Sequence, residues 1–311
     1  MYTERFTYPG AGGLAVTAYR WDPATPPSGA VQLTHGMGEH VLRYDETALA
    51  LTAAGYVVYG QDHRGHGNTA AAEDQLGQLG PDGWHHLVED IGRLSELIRE
   101  ERPGLPLAVL AHSMGSFATQ QYLLEHSDQL DAVVLTGTAL LDLLEPALDL
   151  DQELDLAMFN APFQPARTEF EWLTRDEKIV DAYLADPHCG FGLDRDSVKA
   201  MFADARRLAA PDALTAIRPS LPVYIAVGEQ DPVNGQLALV KPLADRYRAA
   251  GLTDVTLVTY PGARHEILNE TNRADVIAEL LTWLDRKITL PGWDAAPADH
   301  GETAESARTT P

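Results

Sequence analysis

Short apolar runs, four to six residues long, recur along the chain and end in glycine, proline or polar residues. Runs of this length and composition are typical of strands that are buried on both faces. They predict strands at residues 30–34, 56–59, 106–109, 133–136, 222–227 and 255–260, after an opening β-pair at residues 5–7 and 14–21.

Helical patterns alternate with these strands. They cover residues 44–54, 84–100, 117–125, 236–250 and 273–287. Regular alternation of strands and helices is typical of a mostly parallel sheet with helices on both faces. The pattern therefore predicts an α/β fold.

Residues 139–218 break the alternation, because no convincing strand occurs between the sixth strand and residue 222. A structureless loop of that length is improbable in a folded domain. The segment predicts a helical cap inserted after the sixth strand. We therefore expect a core at residues 1–138 and 219–290, a cap at residues 139–218, and a flexible C-terminal tail at residues 291–311.

The predicted cap is rich in aromatic and methionine side chains. Two interpretations are open: these side chains form the cap's own core, or several line an acyl-chain pocket against the sheet. The residues concerned are Met158, Phe159, Phe163, Phe170, Trp172, Tyr183, Phe191, Met201 and Phe202.

The net charge of −23, from 46 acidic and 23 basic residues, argues against binding to nucleic acids or to anionic membranes. The single cysteine, Cys189, allows no intramolecular disulfide and is interpreted as a packing thiol. The N-terminus lacks a signal-peptide pattern, and no apolar stretch approaches the ~20 residues of a membrane helix. We therefore expect a cytoplasmic protein without stable membrane insertion, and the sequence does not indicate an oligomeric state.

The first candidate catalytic segment is residues 110–116, L-A-H-S-M-G-S, which lie between a predicted strand and a predicted helix. A serine between small residues at such a turn is the arrangement of a nucleophile elbow, which exposes the hydroxyl of Ser113. Ala111 stands where this pattern usually has glycine, and it is still small enough for a crowded turn.

An acid and a histidine follow later strands at equivalent positions. Asp231 lies in the turn after residues 222–227, and His265 lies in the loop after residues 255–260. The carboxyl ends of parallel strands share one edge of a sheet, so these side chains are expected to meet Ser113 there. His265 would accept the serine proton, and Asp231 would orient its imidazole. Glu229 is the alternative acid in the same turn.

The loop after the third strand reads H-G-M-G-E-H at residues 35–40. A glycine-rich loop there can bring a backbone N–H, from Met37, to an oxyanion hole, and Met114 would supply the second N–H. Substrate contacts are expected from Gly36, Glu39, Arg43, Phe159 and Trp172. For Glu39 and Arg43 an equally open interpretation is an ion pair that supports the loop.

Other histidines give weaker signals. His63 and His66 lie in D-H-R-G-H-G, which has no cysteine and only Asp62 nearby, so it is a poor zinc site. Arg64 in that loop is expected to hold the backbone. His112 is expected to pack behind its strand. No metal and no cofactor are expected.

The strings L-T-H-G-M-G-E-H-V-L-R-Y, D-H-R-G-H-G, A-H-S-M-G, G-E-Q-D-P-V and H-E-I-L-N-E occur in that order. Together they resemble the monoacylglycerol lipase and lysophospholipase branch of the α/β-hydrolases, the serine aminopeptidase S33-type hydrolases, over residues 5–287. The resemblance implies an α/β-hydrolase fold with a helical cap and no cofactor. Matched by position, it implies Ser113, Asp231 and His265 as the triad, with Met37 and Met114 as oxyanion donors.

The resemblance and the apolar cap predict a serine hydrolase that cleaves a monoacylglycerol or a lysophospholipid through an acyl-enzyme. Alternatives with the same triad are a short-chain carboxylesterase, a thioesterase, or a proline-type aminopeptidase that anchors an amine on Glu169 or Glu171. A binding protein on a hydrolase scaffold is a more distant alternative, since such proteins generally lose part of the triad.

Overall fold

The computed structural model describes residues 1–152, 154–210 and 212–288, and these residues build one eight-stranded sheet. The strands lie in the order β1-β2-β4-β3-β5-β6-β7-β8. β1 and β2 are antiparallel, as are β2 and β4, whereas β3 to β8 pair in parallel. The mostly parallel sheet predicted from the sequence is confirmed. The strands are β1 Glu4–Pro9, β2 Ala15–Trp21, β3 Gly29–Thr34, β4 Tyr56–Gln61, β5 Leu107–His112, β6 Ala132–Thr136, β7 Val223–Gly228 and β8 Val255–Tyr260.

Helices cover both faces of this sheet. Side chains of α2, α3 and α7 pack in one buried cluster with one face, and side chains of α1 and α8 pack in a second cluster with the other. The helices are α1 Asp45–Ala53, α2 Gly83–Glu101, α3 Met114–His126, α4 Leu141–Leu144, α5 Glu177–Ala185, α6 Arg195–Leu208, α7 Lys241–Ala249 and α8 Arg273–Ile288.

The central strand β5 shows why its sequence suits this position. Leu107, Val109 and Ala111 belong to the first cluster, while Ala108 and Leu110 belong to the second. Successive side chains of a strand point to opposite faces, so a continuous apolar run is required when both faces are covered. Burial of both faces holds β5, and the turn that follows it, in the centre of the molecule.

One predicted helix begins in the wrong place. Residues 236–250 were expected to be helical, but α7 begins only at Lys241. Gln236 and Leu237 have φ angles of 53° and 78°, which an α-helix cannot contain. Pro242 then lies in the first turn of α7, where proline is favoured because no hydrogen bond from its nitrogen is needed.

The segment between β6 and β7 contains α4, α5, α6 and the 3₁₀ segment Leu156–Phe163. A third buried cluster joins its apolar side chains to Met114 and Phe117 of α3 and to Trp84 of α2. The segment therefore packs on the core at the edge where β5 ends, and we call it the cap. The domain limits at residues 139 and 218 stay a prediction, and the expected tail, residues 291–311, lies outside the described residues.

None of the helices within the described ranges combines the length and the apolar character needed to cross a bilayer.

Candidate active site

Ser113 occupies a strained turn between β5 and α3. Its φ and ψ angles are 49° and −120°, in a region that residues other than glycine rarely adopt. The next turn is held against β3, because the N–H of Gly115 donates to the carbonyl of His35 at 3.1 Å. A Cβ atom on Gly115 would lie 2.6 Å from the oxygens of Thr34 and His35, so only glycine fits there. This sharp turn exposes the serine hydroxyl at the sheet edge, and the N-terminus of α3 follows directly.

His265 and Asp231 lie together in the loops after β8 and β7. Nδ1 of His265 is 3.0 Å from Oδ1 of Asp231, and both side chains are buried. The same Oδ1 accepts a hydrogen bond from the N–H of Val233 at 2.9 Å, while Asn234 donates to Oδ2 at 3.3 Å. These donors hold the carboxylate in the orientation that faces the imidazole.

Burial and charge act on His265 in opposite directions. Burial lowers the pKa of its imidazole, but the carboxylates of Asp231, Glu266 and Glu39 together more than offset this, with Asp231 contributing most, so the pKa is raised above 6.5. Glu229, the alternative acid, instead accepts a hydrogen bond from the hydroxyl of Thr259 at 3.0 Å. Asp231 is thus the acid of this turn that the structure brings to His265.

Ser113 and His265 line one cavity beneath the cap, and the ring of His265 lies between two aromatic neighbours. Its centroid is 4.9 Å from that of Trp172 and 4.7 Å from that of His112. The expectation that His112 packs behind its strand is therefore wrong. His112 is the last residue of β5, so its ring reaches past the sheet edge into the cavity.

Two backbone N–H groups beside Ser113 are free to bind a negative charge. Within the described residues, the N–H groups of Met37 and Met114 donate no hydrogen bond. Both residues line the cavity with Ser113. A Cβ atom on Gly36 would lie 3.2 Å from the Cβ of Ser113, so the loop of residues 35–40 approaches the serine closely. This geometry is suitable for an oxyanion hole.

Buried histidines fix the shape of that loop. Nε2 of His35 accepts from the N–H of His63 at 3.0 Å, so Nδ1 carries the proton and donates to the carbonyl of Gly36 at 2.8 Å. Nε2 of His66 likewise accepts from the N–H of Gly38 at 3.3 Å.

Burial keeps these three rings neutral. It lowers the pKa of His35, brings that of His63 to about 3, and brings that of His66 to about 4. Their ring nitrogens are engaged with backbone groups, apart from Nδ1 of His63, which accepts from the side-chain amide of Gln61 at 3.3 Å. These contacts leave the rings a positioning role. The sequence did not predict this role for the D-H-R-G-H-G loop. The prediction for Arg64 agrees with the structure, since it donates to the carbonyl of Ala11 and to Asp90.

A buried charge network supports the same loop from the other side. Oε1 of Glu39 accepts from the N–H of Gly36 at 2.5 Å and from the hydroxyl of Tyr44 at 2.8 Å. Arg43 donates to Glu39 and makes two bonds, of 2.6 and 2.7 Å, to the carboxylate of Glu266.

Burial raises the pKa of both acids of this network, and Arg43 lowers it. Burial raises the pKa of Glu266, but Arg43 more than offsets it and brings the value to about 2. Burial raises the pKa of Glu39, which Arg43 only partly offsets. Of the two interpretations of Glu39 and Arg43, the structure has the ion pair. Glu266 was not predicted from the sequence, although it lies next to His265 in the H-E-I-L-N-E string.

The cavity and its mouth enclose about 590 Å³ of space that no protein atom fills, the open solvent at the mouth included. Of the expected substrate contacts, Gly36, Glu39, Phe159 and Trp172 line it, whereas Arg43 is not among the lining residues. Most of the remaining wall is apolar and comes from the cap: Leu141, Leu144, Leu148, Leu154, Leu156, Leu173, Tyr183, Met201 and Phe202.

The rest of the cap's aromatic and methionine residues lie elsewhere. Met158 is exposed, Phe163 lies under the guanidinium of Arg264, Phe170 packs on Tyr183, and Phe191 packs on His66. The cap residues therefore divide into a subset that lines the cavity and a subset that does not.

Comparisons with known proteins agree with this architecture. The family model described as serine aminopeptidase, S33 (Hydrolase_4) matches residues 25–272. The chain is similar to the monoacylglycerol lipase of Mycolicibacterium smegmatis, with 31% identity over 284 residues that cover 89% of this chain and 95% of that protein. It is also similar to the monoglyceride lipase of Mus musculus, with 27% identity and 92% of each chain covered.

Solved structures give the same picture. A thermostable carboxyl esterase from Bacillus coagulans, in complex with glycerol, superposes with a TM-score of 0.83 and 26% identity, covering 93% of this chain and all of that one. A lipase in its open form superposes with a TM-score of 0.77 and 27% identity, covering 91% and 98% of the two chains.

Proposed function

Because this chain belongs to the serine aminopeptidase S33 family of α/β-hydrolases, in its monoacylglycerol lipase-like branch, and is an ester hydrolase, we propose that it cleaves monoacylglycerols with Ser113 as nucleophile. The observation that carries the proposal is one cavity that joins Ser113 and His265 to a long apolar wall from the cap. An acyl chain needs such a wall, and its ester carbonyl needs the polar end.

The proposed reaction assigns each chemical step to a group of this site. His265 takes the proton of the Ser113 hydroxyl while the oxygen attacks the ester carbonyl carbon. The carbonyl oxygen becomes an oxyanion that the N–H groups of Met37 and Met114 stabilise. Collapse breaks the bond to the glycerol oxygen, which receives the proton from His265. Water, activated by His265, then hydrolyses the acyl-enzyme and releases the fatty acid and free Ser113. Asp231 stabilises the imidazolium in both halves of the cycle.

The charges around the cavity favour a neutral head group over a phosphate. Phosphate is normally bound by arginine or lysine. Among the described residues, neither arginine nor lysine lines the cavity, whereas Glu39 and Glu266 do. Arg43 is already engaged by both of these acids. A lysophospholipid would therefore bring its phosphate towards carboxylates, while glycerol meets only hydrogen-bonding groups.

Trp172 offers one such group. Its indole N–H is buried and has no hydrogen-bond partner within the described part of the chain, and its ring lines the cavity beside His265. A buried donor without a partner is costly, and a substrate hydroxyl would satisfy it. We propose this N–H as a head-group contact.

The aminopeptidase alternative has less support. Glu169 is exposed, and Glu171 accepts from Thr168 and lies close to Arg167 and Arg264. Neither acid lines the cavity. A substrate amine would need an acid that is both free and near Ser113.

The test compares kcat/KM for long-chain monoacylglycerols, for lysophosphatidylcholines with the same acyl chains, and for short p-nitrophenyl esters and aminoacyl-naphthylamides. We expect kcat/KM for the monoacylglycerols to exceed that for the matched lysophospholipids by about five- to 150-fold, since one unsatisfied polar group costs about 1–3 kcal/mol. Ser113→Ala is expected to lose turnover on every ester. Equal rates for both lipid classes, or a preference for the naphthylamides, would contradict the proposal.

A further inference from the structure

A second group of reactive side chains lies outside the proposed catalytic residues, where the cap meets the loop of residues 35–40. His40 closes that loop, while Asp186 and Cys189 belong to the turn that follows α5. Nε2 of His40 is 2.8 Å from Oδ2 of Asp186. One ligand atom from each of the three residues lies within 4.8 Å of the other two, and all three side chains are partly buried.

We propose that His40, Asp186 and Cys189 bind a zinc-like divalent cation that ties the cap to the loop beside Ser113. Imidazole nitrogen, carboxylate oxygen and thiolate sulfur are the usual zinc ligands in proteins. A thiolate with an imidazole selects against magnesium and calcium, which prefer oxygen ligands. Three protein ligands leave the fourth tetrahedral position for water.

The separation of these atoms suits a tetrahedral ion after small side-chain rotations. Zinc bonds of about 2.0–2.3 Å place neighbouring ligand atoms roughly 3.5 Å apart. At present one separation is 2.8 Å and none exceeds 4.8 Å, so small movements bring the atoms to that spacing. His188 offers another imidazole nearby, with its ring centroid 6.0 Å from that of His40.

Backbone hydrogen bonds hold the ligand-bearing turn in position. Oδ1 of Asp186 accepts from the N–H of His188 at 2.8 Å, which leaves Oδ2 facing His40. The N–H of Gly190 and the hydroxyl of Tyr183 both donate to the carbonyl of Gly38, at 3.0 and 2.9 Å. The two loops are thus already docked, and an ion would bind without ordering either of them.

Binding replaces a proton by the metal. Burial raises the pKa of the Cys189 thiol, so the metal-free protein carries S–H there. When the ion binds, the thiol proton leaves to the solvent and a metal–sulfur bond forms. The hydrogen that His40 Nε2 shares with Asp186 also leaves Nε2, and the neutral ring carries its proton on Nδ1. Nε2 of His40 and Oδ2 of Asp186 then each bond to the ion. No electron is transferred.

Titration of the metal-free, full-length protein with Co²⁺ and Zn²⁺ tests the proposal. We expect one equivalent of Co²⁺ to give a thiolate-to-cobalt band in the near ultraviolet, and one equivalent of Zn²⁺ to raise Tm, because a ligand that binds the folded state stabilises it. Cys189→Ser should abolish the band and weaken Zn²⁺ binding by at least about tenfold, as loss of metal-site groups commonly does. Asp186→Asn should weaken binding similarly while keeping the band.

His85→Gln is the matched control. His85 also pairs with aspartates, Asp82 and Asp204, but it has no cysteine beside it. This variant should bind the ions as the wild type does. Absence of a stoichiometric band in the wild type would overturn the proposal, as would unchanged Zn²⁺ affinity in both Cys189→Ser and Asp186→Asn. Circular dichroism of each variant checks that it is folded, and the Asp186 variant carries the test if the Cys189 variant is not.

Discussion

The two walls of the cavity are built from different interactions. On the core side, the carboxylates of Glu39 and Glu266 line the cavity, and the carboxylate of Asp231 and the rings of His35 and His66 support it without lining it. All five side chains are buried and make specific polar contacts, and we call them the core wall. On the cap side, the wall is mostly leucine, methionine and aromatic side chains. The polar contacts of the core wall therefore fix the positions of its side chains, whereas the apolar side chains of the cap wall determine the shape of the cavity. Substitutions in the core wall should affect turnover and stability, and those in the cap wall should affect substrate choice.

The largest effect should follow from loss of the charge at Asp231. Asp231→Asn keeps the size of the side chain but removes the carboxylate that orients and stabilises the imidazolium of His265, so kcat should fall by about 10⁴. Steady-state kinetics on a soluble ester measures it. Glu229→Gln, in the same turn, should keep nearly full activity because Glu229 contacts Thr259. A larger loss in the Glu229 variant would reverse the assignment.

Arg43→Met should lower the stability of the protein through the core wall. It leaves the carboxylates of Glu39 and Glu266 buried without their cation, and breaking a buried pair in this way costs about 3–5 kcal/mol. Urea unfolding would measure the change in the free energy of unfolding. Arg93→Met removes an exposed partner of Glu89 and should cost no more than about 1 kcal/mol. If Arg43→Met lowers the free energy of unfolding no more than Arg93→Met does, the buried network adds little to stability.

A change in the cap wall should alter selectivity and leave the chemistry intact. Leu144 lines the cavity, so Leu144→Trp should fill part of it and lower kcat/KM for long acyl chains roughly tenfold relative to short ones. Leu143 is 45% exposed and is not among the lining residues, so Leu143→Trp is its control. Measurement of kcat/KM for a series of acyl-chain lengths with both variants tests this prediction. An equal loss for all chain lengths would place Leu144 outside acyl recognition.

The smallest effect concerns pH. The general base must be neutral, and the pKa of His265 is raised above 6.5 because the neighbouring carboxylates, chiefly that of Asp231, together outweigh burial. Activity should therefore fall as the pH drops through a value above 6.5. Burial lowers the pKa of His63 to about 3 and that of His66 to about 4, so these two rings stay neutral through this range. The acid limb of kcat/KM against pH measures the value, and a limb below 6.5 would contradict this assignment of the base.

The sequence predicts the core wall much better than the cap wall. The apolar runs that became β7 and β8 are bounded by turns, so the loops carrying Asp231 and His265 could be placed by topology alone. The start of α7 was placed too early. Pro242 is a sequence signal for the first turn of a helix, but neither Gln236 nor Leu237, which have left-handed φ angles, is a glycine that would have marked the turn.

Side-chain direction at element ends was also beyond the sequence. His112 ends β5, and only the packed structure shows its ring beside that of His265. In the cap, Phe159 and Phe163 lie in the same 3₁₀ segment, yet only Phe159 lines the cavity. Which face a cap residue presents depends on contacts that are distant in sequence.

The most direct test of the account is to map a fluorophosphonate adduct on the protein. A fluorophosphonate reacts with an activated serine hydroxyl, so mass spectrometry of the labelled peptide identifies the nucleophile. The account predicts one adduct per chain, on Ser113, that disappears in Ser113→Ala while the variant remains folded. An adduct on another serine, or no adduct in the active wild type, would contradict the claim that Ser113 is the nucleophile.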